Sequence, residues 1–231
     1  MLKKISFGKL VLIATVMIAP LAVNAQNYGV SAAAATMTDP QDMPSGEYQA
    51  DSTHTSITWK VNHLGLSDYT ARFTKFNAKL NFSPSTPHKS TIYAVIDPTS
   101  VETDYPKGSS SDISKVDFNK KLGFGKEWFN AIKFPQITFK STKIEHGKED
   151  MPDNTAWVYG DLTMLGVTRP VIMNVKFNGA YEKKPFGKTA AIGFSGNLKI
   201  KRSDFGFSTY VPTIGDEVTI MIEAEFNKIG N

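Results

Sequence analysis

The sequence predicts an all-β protein, an antiparallel sheet curled as a barrel or folded as a sandwich, with one helical excursion. Three observations carry that expectation. Segments alternating apolar and polar residues recur along most of the chain, bounded by turn residues, and a period of two with β-branched enrichment marks strands with one apolar face. The clearest pair, residues 158–164 and 171–177, is separated by a short breaker cluster, Gly166-Val167-Thr168-Arg169-Pro170, too short for the crossover that parallel neighbours need. One stretch within 112–131 departs from the period of two.

The N-terminus stands apart from this pattern. Lys3, Lys4 and Lys9 precede an apolar run over 10–23, and Val23-Asn24-Ala25 supplies small residues for cleavage. Residues 1–25 therefore read as a signal peptide cut after Ala25. An uncleaved anchor is the alternative, but the run is shorter than the ~20 apolar residues of a spanning helix. Loss of three lysines and no acid takes the formal charge from +4 to +1. The basic balance thus belongs to the targeting segment and predicts no nucleic-acid partner. The chain has no cysteine, which excludes disulfides, thiolate metal sites and cysteine nucleophiles, although export implies an oxidising compartment. Residues 26–46, rich in Ala, Ser, Thr, Gln and Pro without a period, read as a flexible leader. The folded domain is expected over 47–231.

Each element then follows in order. Ile57, Trp59, Val61 and His63 share one parity against Thr58, Lys60 and Asn62, a half-buried strand with a histidine closing its apolar row. In 69–82 the apolar parity switches from Ala71 and Phe73 to Phe76, Ala78, Leu80 and Phe82, which predicts a bulge near Thr74-Lys75. A strand follows over 91–97. Residues 112–131 place Ile113, Val116, Phe118, Leu122, Trp128 and Phe129 among charges, with Gly123 and Gly125 interrupting, so one or two short helices are expected over an open end of the sheet. Strands resume with Ile137 and Phe139, then the hairpin carrying Leu162 and Met164, then Ile192, Phe194, Leu198 and Ile200. Residues 202–207 read as a turn or lid, and Val218 to Phe226 alternates to the end. Eight to ten strands in about 185 residues suit one curled sheet or barrel.

Several ordered motifs resemble the YceI-like family of exported bacterial proteins. They are Tyr48-Gln49-Ala50-Asp51-Ser52-Thr53-His54-Thr55, Trp59-Lys60-Val61-Asn62-His63-Leu64-Gly65, Trp128-Phe129-Asn130-Ala131 and Phe134-Pro135-Gln136-Ile137-Thr138-Phe139-Lys140-Ser141-Thr142. Gly160-Asp161-Leu162-Thr163-Met164-Leu165-Gly166-Val167-Thr168-Arg169-Pro170 and Lys201-Arg202-Ser203-Asp204-Phe205-Gly206 extend the likeness. Thr55 and Trp59 stand where the family has Ser and Phe, and Ala71 replaces a Gly. The resemblance implies a lipocalin-like barrel of eight antiparallel strands holding a polyisoprenoid lipid, an isoprenoid quinone or polyprenyl phosphate, with no reaction catalysed, no cofactor and no metal. It implies a periplasmic protein that sequesters, transports or handles such a lipid under stress. The expected partners are that lipid and, transiently, a membrane; pairing into a homodimer is left open.

On this expectation Ile57, Trp59, Val61, Phe73, Phe76, Ile137, Phe139, Leu162, Met164 and Phe194 line the cavity, Phe205 with Phe207 forms a lid, and His63 meets a polar head group. Binding of a prenyl chain draws on apolar area, at about 25 cal/mol per Å² removed from water, yet an eight-stranded barrel can equally be filled by its own side chains. His63 can instead satisfy a backbone carbonyl. Arg169 and Arg202 either anchor turns, pair with Asp161 and Asp204, or meet a phosphate. His54, His63, His88 and His146 lack metal-ligand spacing, and Asp204-Phe205-Gly206 comes without the phosphate loop that would make it catalytic. Two rival readings remain: an integral outer-membrane barrel, whose apolar face would point outward, and a cavity-based enzyme using His63 as acid or base.

Overall fold

The alternating segments close into a wall. The computed structural model describes residues 36–105, 116–147 and 151–230. Its strands are β1 (Gly46–Ala50), β2 (Ser56–His63), β3 (Ser67–Phe73), β4 (Phe76–Phe82), β5 (Thr91–Ile96), β6 (Val101–Glu102), β7 (Ile137–His146), β8 (Thr155–Met164), β9 (Val167–Tyr181), β10 (Ala191–Lys201) and β11 (Ile214–Lys228). β11 pairs with β1 at Tyr48↔Lys228 and with β2 at Val61↔Val218, so β1 and β2 are two halves of one strand. β4 pairs with β1 and β5, while β3 pairs with β2 and β6. Three long strands, each broken once, join β7 to β11 in a closed antiparallel barrel of eight strands. Closure pairs every long strand on both sides, and only the two-residue β6 keeps a single partner, β3.

The switch of parity at Thr74-Lys75 is a full interruption rather than a bulge. The neighbouring strand breaks beside it: the Thr74 N–H donates to the Ser100 carbonyl (3.1 Å), the Lys75 N–H to Ser100 Oγ (3.0 Å), and the Asp97 N–H to the Lys75 carbonyl (3.0 Å). Because the strands bend together, each break satisfies the backbone groups of the next. The expected breaker cluster is likewise shorter than its composition suggests. Only Leu165 and Gly166, at φ 54° and 74°, form the turn, the backbone that two-residue hairpins require. Arg169 and Pro170 lie inside β9, opposite Leu162 and Asp161. Pro170 is tolerated because β10 pairs with β9 only from Asn174 onward, so no ladder bond is lost on that side.

One end of the barrel is capped by the helical excursion, of which the expected residues 112–115 lie outside the described residues. α1 (Phe118–Phe124) starts where the Asp117 carboxylate accepts from the Lys120 N–H (2.9 Å). Leu122 is buried, and the following turns bury Trp128 and Phe129. The segment expected as leader differs where it is described. Thr38 donates its N–H to the Ala180 carbonyl (2.8 Å), Met43 is buried, and the buried Tyr48 hydroxyl donates to the Pro44 carbonyl (2.6 Å). Ordered packing on the barrel thus begins before the boundary at 46/47, because Met43 supplies an apolar anchor within a polar stretch. The expected signal peptide, 1–25, lies outside the described residues.

Candidate functional site

The barrel is hollow. A cavity of about 740 Å³ runs within it, inside the usual range for ligand pockets. Its wall is the inward parity of the strands. From β2 it takes Ile57, Trp59, Val61 and His63; from the β3–β4 corner, Phe73 and Phe76; from β7 and β8, Ile137, Phe139, Leu162 and Met164; from β10, Phe194. Inward residues such as Ile57, Trp59, Phe76, Ile220 and Ile222 are only half-buried. A side chain that points into a barrel yet keeps accessible surface faces space the protein does not fill.

The capped end is a floor of interlocked rings. Phe129 packs edge-on against Phe73 and Phe207, each with centroids 5.4 Å apart, and Trp128 meets Phe207 at 5.6 Å. Such pairs add roughly 0.5–1.5 kcal/mol beyond the area they bury. Phe205, expected at this site, does not line the cavity: it is 1% exposed and packs into the surrounding core. The reason is Gly206, left-handed at φ 80°, which turns the chain so that Phe207 alone reaches the cavity.

Of the two arginines, Arg202 lines the cavity and Arg169 does not. Arg202 is 5% exposed and donates from Nε to the Gly215 carbonyl, from Nη2 to Ile214, and from Nη1 to Thr209, all at 2.8 Å, with a longer bond to Phe207 at 3.4 Å. Burial lowers its pKa, opposed by Asp216. It pins the loop between β10 and β11. Arg169 is exposed near the start of β9, opposite the inward Leu162 and outside the residues that line the cavity.

His63 does reach the cavity, its ring 6.5 Å from that of Tyr69. No hydrogen bond to that ring is present among the described residues. Tyr69 and Trp128, which the alternation pattern missed, also line the wall, but Trp59 Nε1 and Trp128 Nε1 are shielded without a hydrogen-bond partner among the described residues, and Tyr69 Oη is shielded beside Thr103. Burial raises the Tyr69 hydroxyl pKa. These donors face neither water nor open cavity, so the rings offer apolar surface rather than polar handles.

The opposite end is the mouth. There Gln41, His146, Gly147, Pro152, Asp153 and Asn154 line the cavity while exposed to solvent. Pro40 and Gln41 come from the stretch expected as leader, where composition gave no sign of a binding role. Outside the cavity, Asp51, His54 and Glu225 bring metal-ligating atoms within 4.8 Å of one another, a grouping that histidine spacing did not suggest. Lys184 Nζ already meets Glu225 at 2.7 Å and Asp51 at 3.6 Å, and supplies the positive charge these carboxylates need.

The YceI-like domain pattern matches residues 48–226. A UPF0312 protein of Vibrio cholerae is 31% identical over 175 residues, covering 75% of this chain and 84% of the relative. Protein YceI of Escherichia coli is 30% identical over 172 residues, covering 74% and 81%. Among solved structures, the Campylobacter jejuni YceI protein superposes with a TM-score of 0.59 at 28% identity, over 74% of this chain and 91% of that one. Two structures share the fold at lower identity. Burkholderia cenocepacia BcnA has a TM-score of 0.61 at 24% identity, over 76% and 98%. A polyisoprenoid-binding domain from Saccharophagus degradans, implicated in plant cell wall breakdown, has a TM-score of 0.52 at 15% identity, over 79% and 98%.

Proposed function

The chain belongs to the YceI-like domain family, and from that premise we propose that it is an exported carrier of an amphiphilic polyisoprenoid lipid, an isoprenoid quinone or polyprenyl phosphate. On this reading residues 1–25 direct export to the periplasm, the protein catalyses no reaction and needs no cofactor. The observation that carries it is the unfilled apolar cavity, floored by aromatic rings at one end and open among polar residues at the other. A flexible apolar chain fits such a channel lengthwise, and its binding would draw on area removed from water. The polyisoprenoid-binding domain of Saccharophagus degradans, alike in fold, supports the choice of ligand class.

The rival membrane barrel requires the reverse arrangement of faces. Here the apolar rows point inward, while Lys79, Lys140, Lys199 and Glu217 stand exposed on the outside. The decisive experiment is purification from the native host, solvent extraction and mass spectrometry of the extract. A prenyl lipid in near-stoichiometric amount is expected; protein that carries no lipid, and takes none up from a mixed lipid extract, would overturn the reading.

A further inference from the structure

We propose that the loop joining β9 and β10 is a membrane-docking element that sets the cavity mouth against an anionic lipid surface. The loop reads Glu182-Lys183-Lys184-Pro185-Phe186-Gly187-Lys188. Phe186 is 99% exposed, the highest value among the exposed large apolar side chains of the described residues. A single exposed apolar side chain is common on protein surfaces; what sets Phe186 apart is its place between two exposed lysines on a loop tied to the cavity rim.

The loop is built, not slack. The Gly187 N–H donates to the Lys184 carbonyl (3.1 Å), and the Lys184 N–H to the Thr189 carbonyl (3.2 Å). The Lys184 side chain turns back to the wall, where it pairs with Glu225 and Asp51. Phe186 is thereby held outward between Lys183 and Lys188, both exposed. An aromatic tip flanked by ammonium groups suits the boundary of an anionic bilayer: the ring enters the acyl margin while the lysines stay at the phosphates.

The loop is also wired to the mouth. The Glu182 N–H donates to Thr38 Oγ1 (3.0 Å), and the Thr38 N–H to the Ala180 carbonyl (2.8 Å). Two residues further on, Pro40 and Gln41 border the cavity. Beside Thr38, Met37 is a second exposed apolar side chain at 58%. Contact with a bilayer through Phe186 therefore brings the cavity rim to the lipid surface. The inference takes its purpose, not its geometry, from the lipid-carrier reading.

The test is sedimentation of the protein with vesicles of pure phosphatidylcholine or of phosphatidylcholine with phosphatidylglycerol. Binding is expected only to the anionic vesicles, weakening as salt screens the lysines. Phe186→Ser and the double variant Lys183→Glu/Lys188→Glu should each bind about tenfold more weakly or worse. Both sites are exposed, so thermal unfolding should match the parent and report that the fold is intact. Anionic-vesicle binding by Phe186→Ser equal to the parent, or no binding by the parent, would overturn the proposal. Lipid extraction separates the two readings: Phe186-dependent vesicle binding by a protein that carries no lipid would support the docking surface while removing the carrier function.

Discussion

At Gly160 the inward row of β8 lacks a side chain, and the Phe139 ring of β7 occupies the space. A methyl there would collide with that ring and come within 2.7 Å of the Lys140 carbonyl. Gly160→Ala should therefore destabilise by about 1–3 kcal/mol in urea unfolding, and Phe139→Leu in the same chain should recover part of the loss, as a double-mutant cycle would report. Arg202 makes a larger prediction. Arg202→Met leaves the carbonyls of Phe207, Thr209, Ile214 and Gly215, one buried and three partly buried, without this donor, and should cost about 3 kcal/mol, whereas the exposed Arg169→Ala should stay within about 0.5 kcal/mol. The alternating rows were legible because residue parity alone decides which side chains face inward. Phe205 was misplaced because one left-handed glycine resets the direction of the chain. The sequence left Arg202 open between anchoring a turn and meeting a phosphate, because the carbonyls it holds belong to a loop that becomes its neighbour only once β10 and β11 have paired.

Among the elements, the junction of β1 and β2 shows how a broken strand is held to the barrel. Asp51 accepts from Thr53 Oγ1 (2.6 Å), the Thr53 N–H (3.0 Å) and Asn227 Nδ2 (3.1 Å), with His54 Nδ1 at 3.1 Å. The Thr53 hydroxyl bond, helped by the others and opposed by burial, holds the Asp51 carboxyl well below the usual range. A depressed folded-state pKa stabilises the fold fully above the unfolded carboxyl value of about 3.9 and loses that contribution as pH falls through and below it. Asp51→Asn should accordingly be less stable than the parent at pH 7, and the difference should shrink steadily below about pH 4. Chemical unfolding of both proteins across that range tests it. Most strands were legible from their period, whereas two boundaries were not. The Thr74-Lys75 parity switch cannot reveal that the neighbouring strand breaks beside it, and Arg169-Pro170 resembles a turn because Pro is excluded only where a second strand needs its N–H.

For the whole molecule, the barrel class followed from short antiparallel connections and regular strand spacing, but the hollow interior did not, since the same inward rows could interdigitate completely. Whether they do depends on the girth of the closed wall, a property of the assembled ring. Two predictions belong here. If the carrier reading proposed above holds, lipid-loaded protein should melt at a higher temperature than lipid-free protein, by the linkage that adds about 2.7 kcal/mol when free ligand exceeds Kd a hundredfold. Ala94→Trp, which fills the cavity from the wall, should leave the barrel folded but abolish lipid recovery on extraction. The interruptions at 51–55, 74–75 and 97–100 lie side by side in the register of the wall, while β8 carries no register shift against β9. A tube scored along one side hinges along that score, so a bulky guest can spread the wall there and spare the unbroken ladder opposite. Amide hydrogens bordering the interruptions should exchange with deuterium sooner than those shared by β8 and β9.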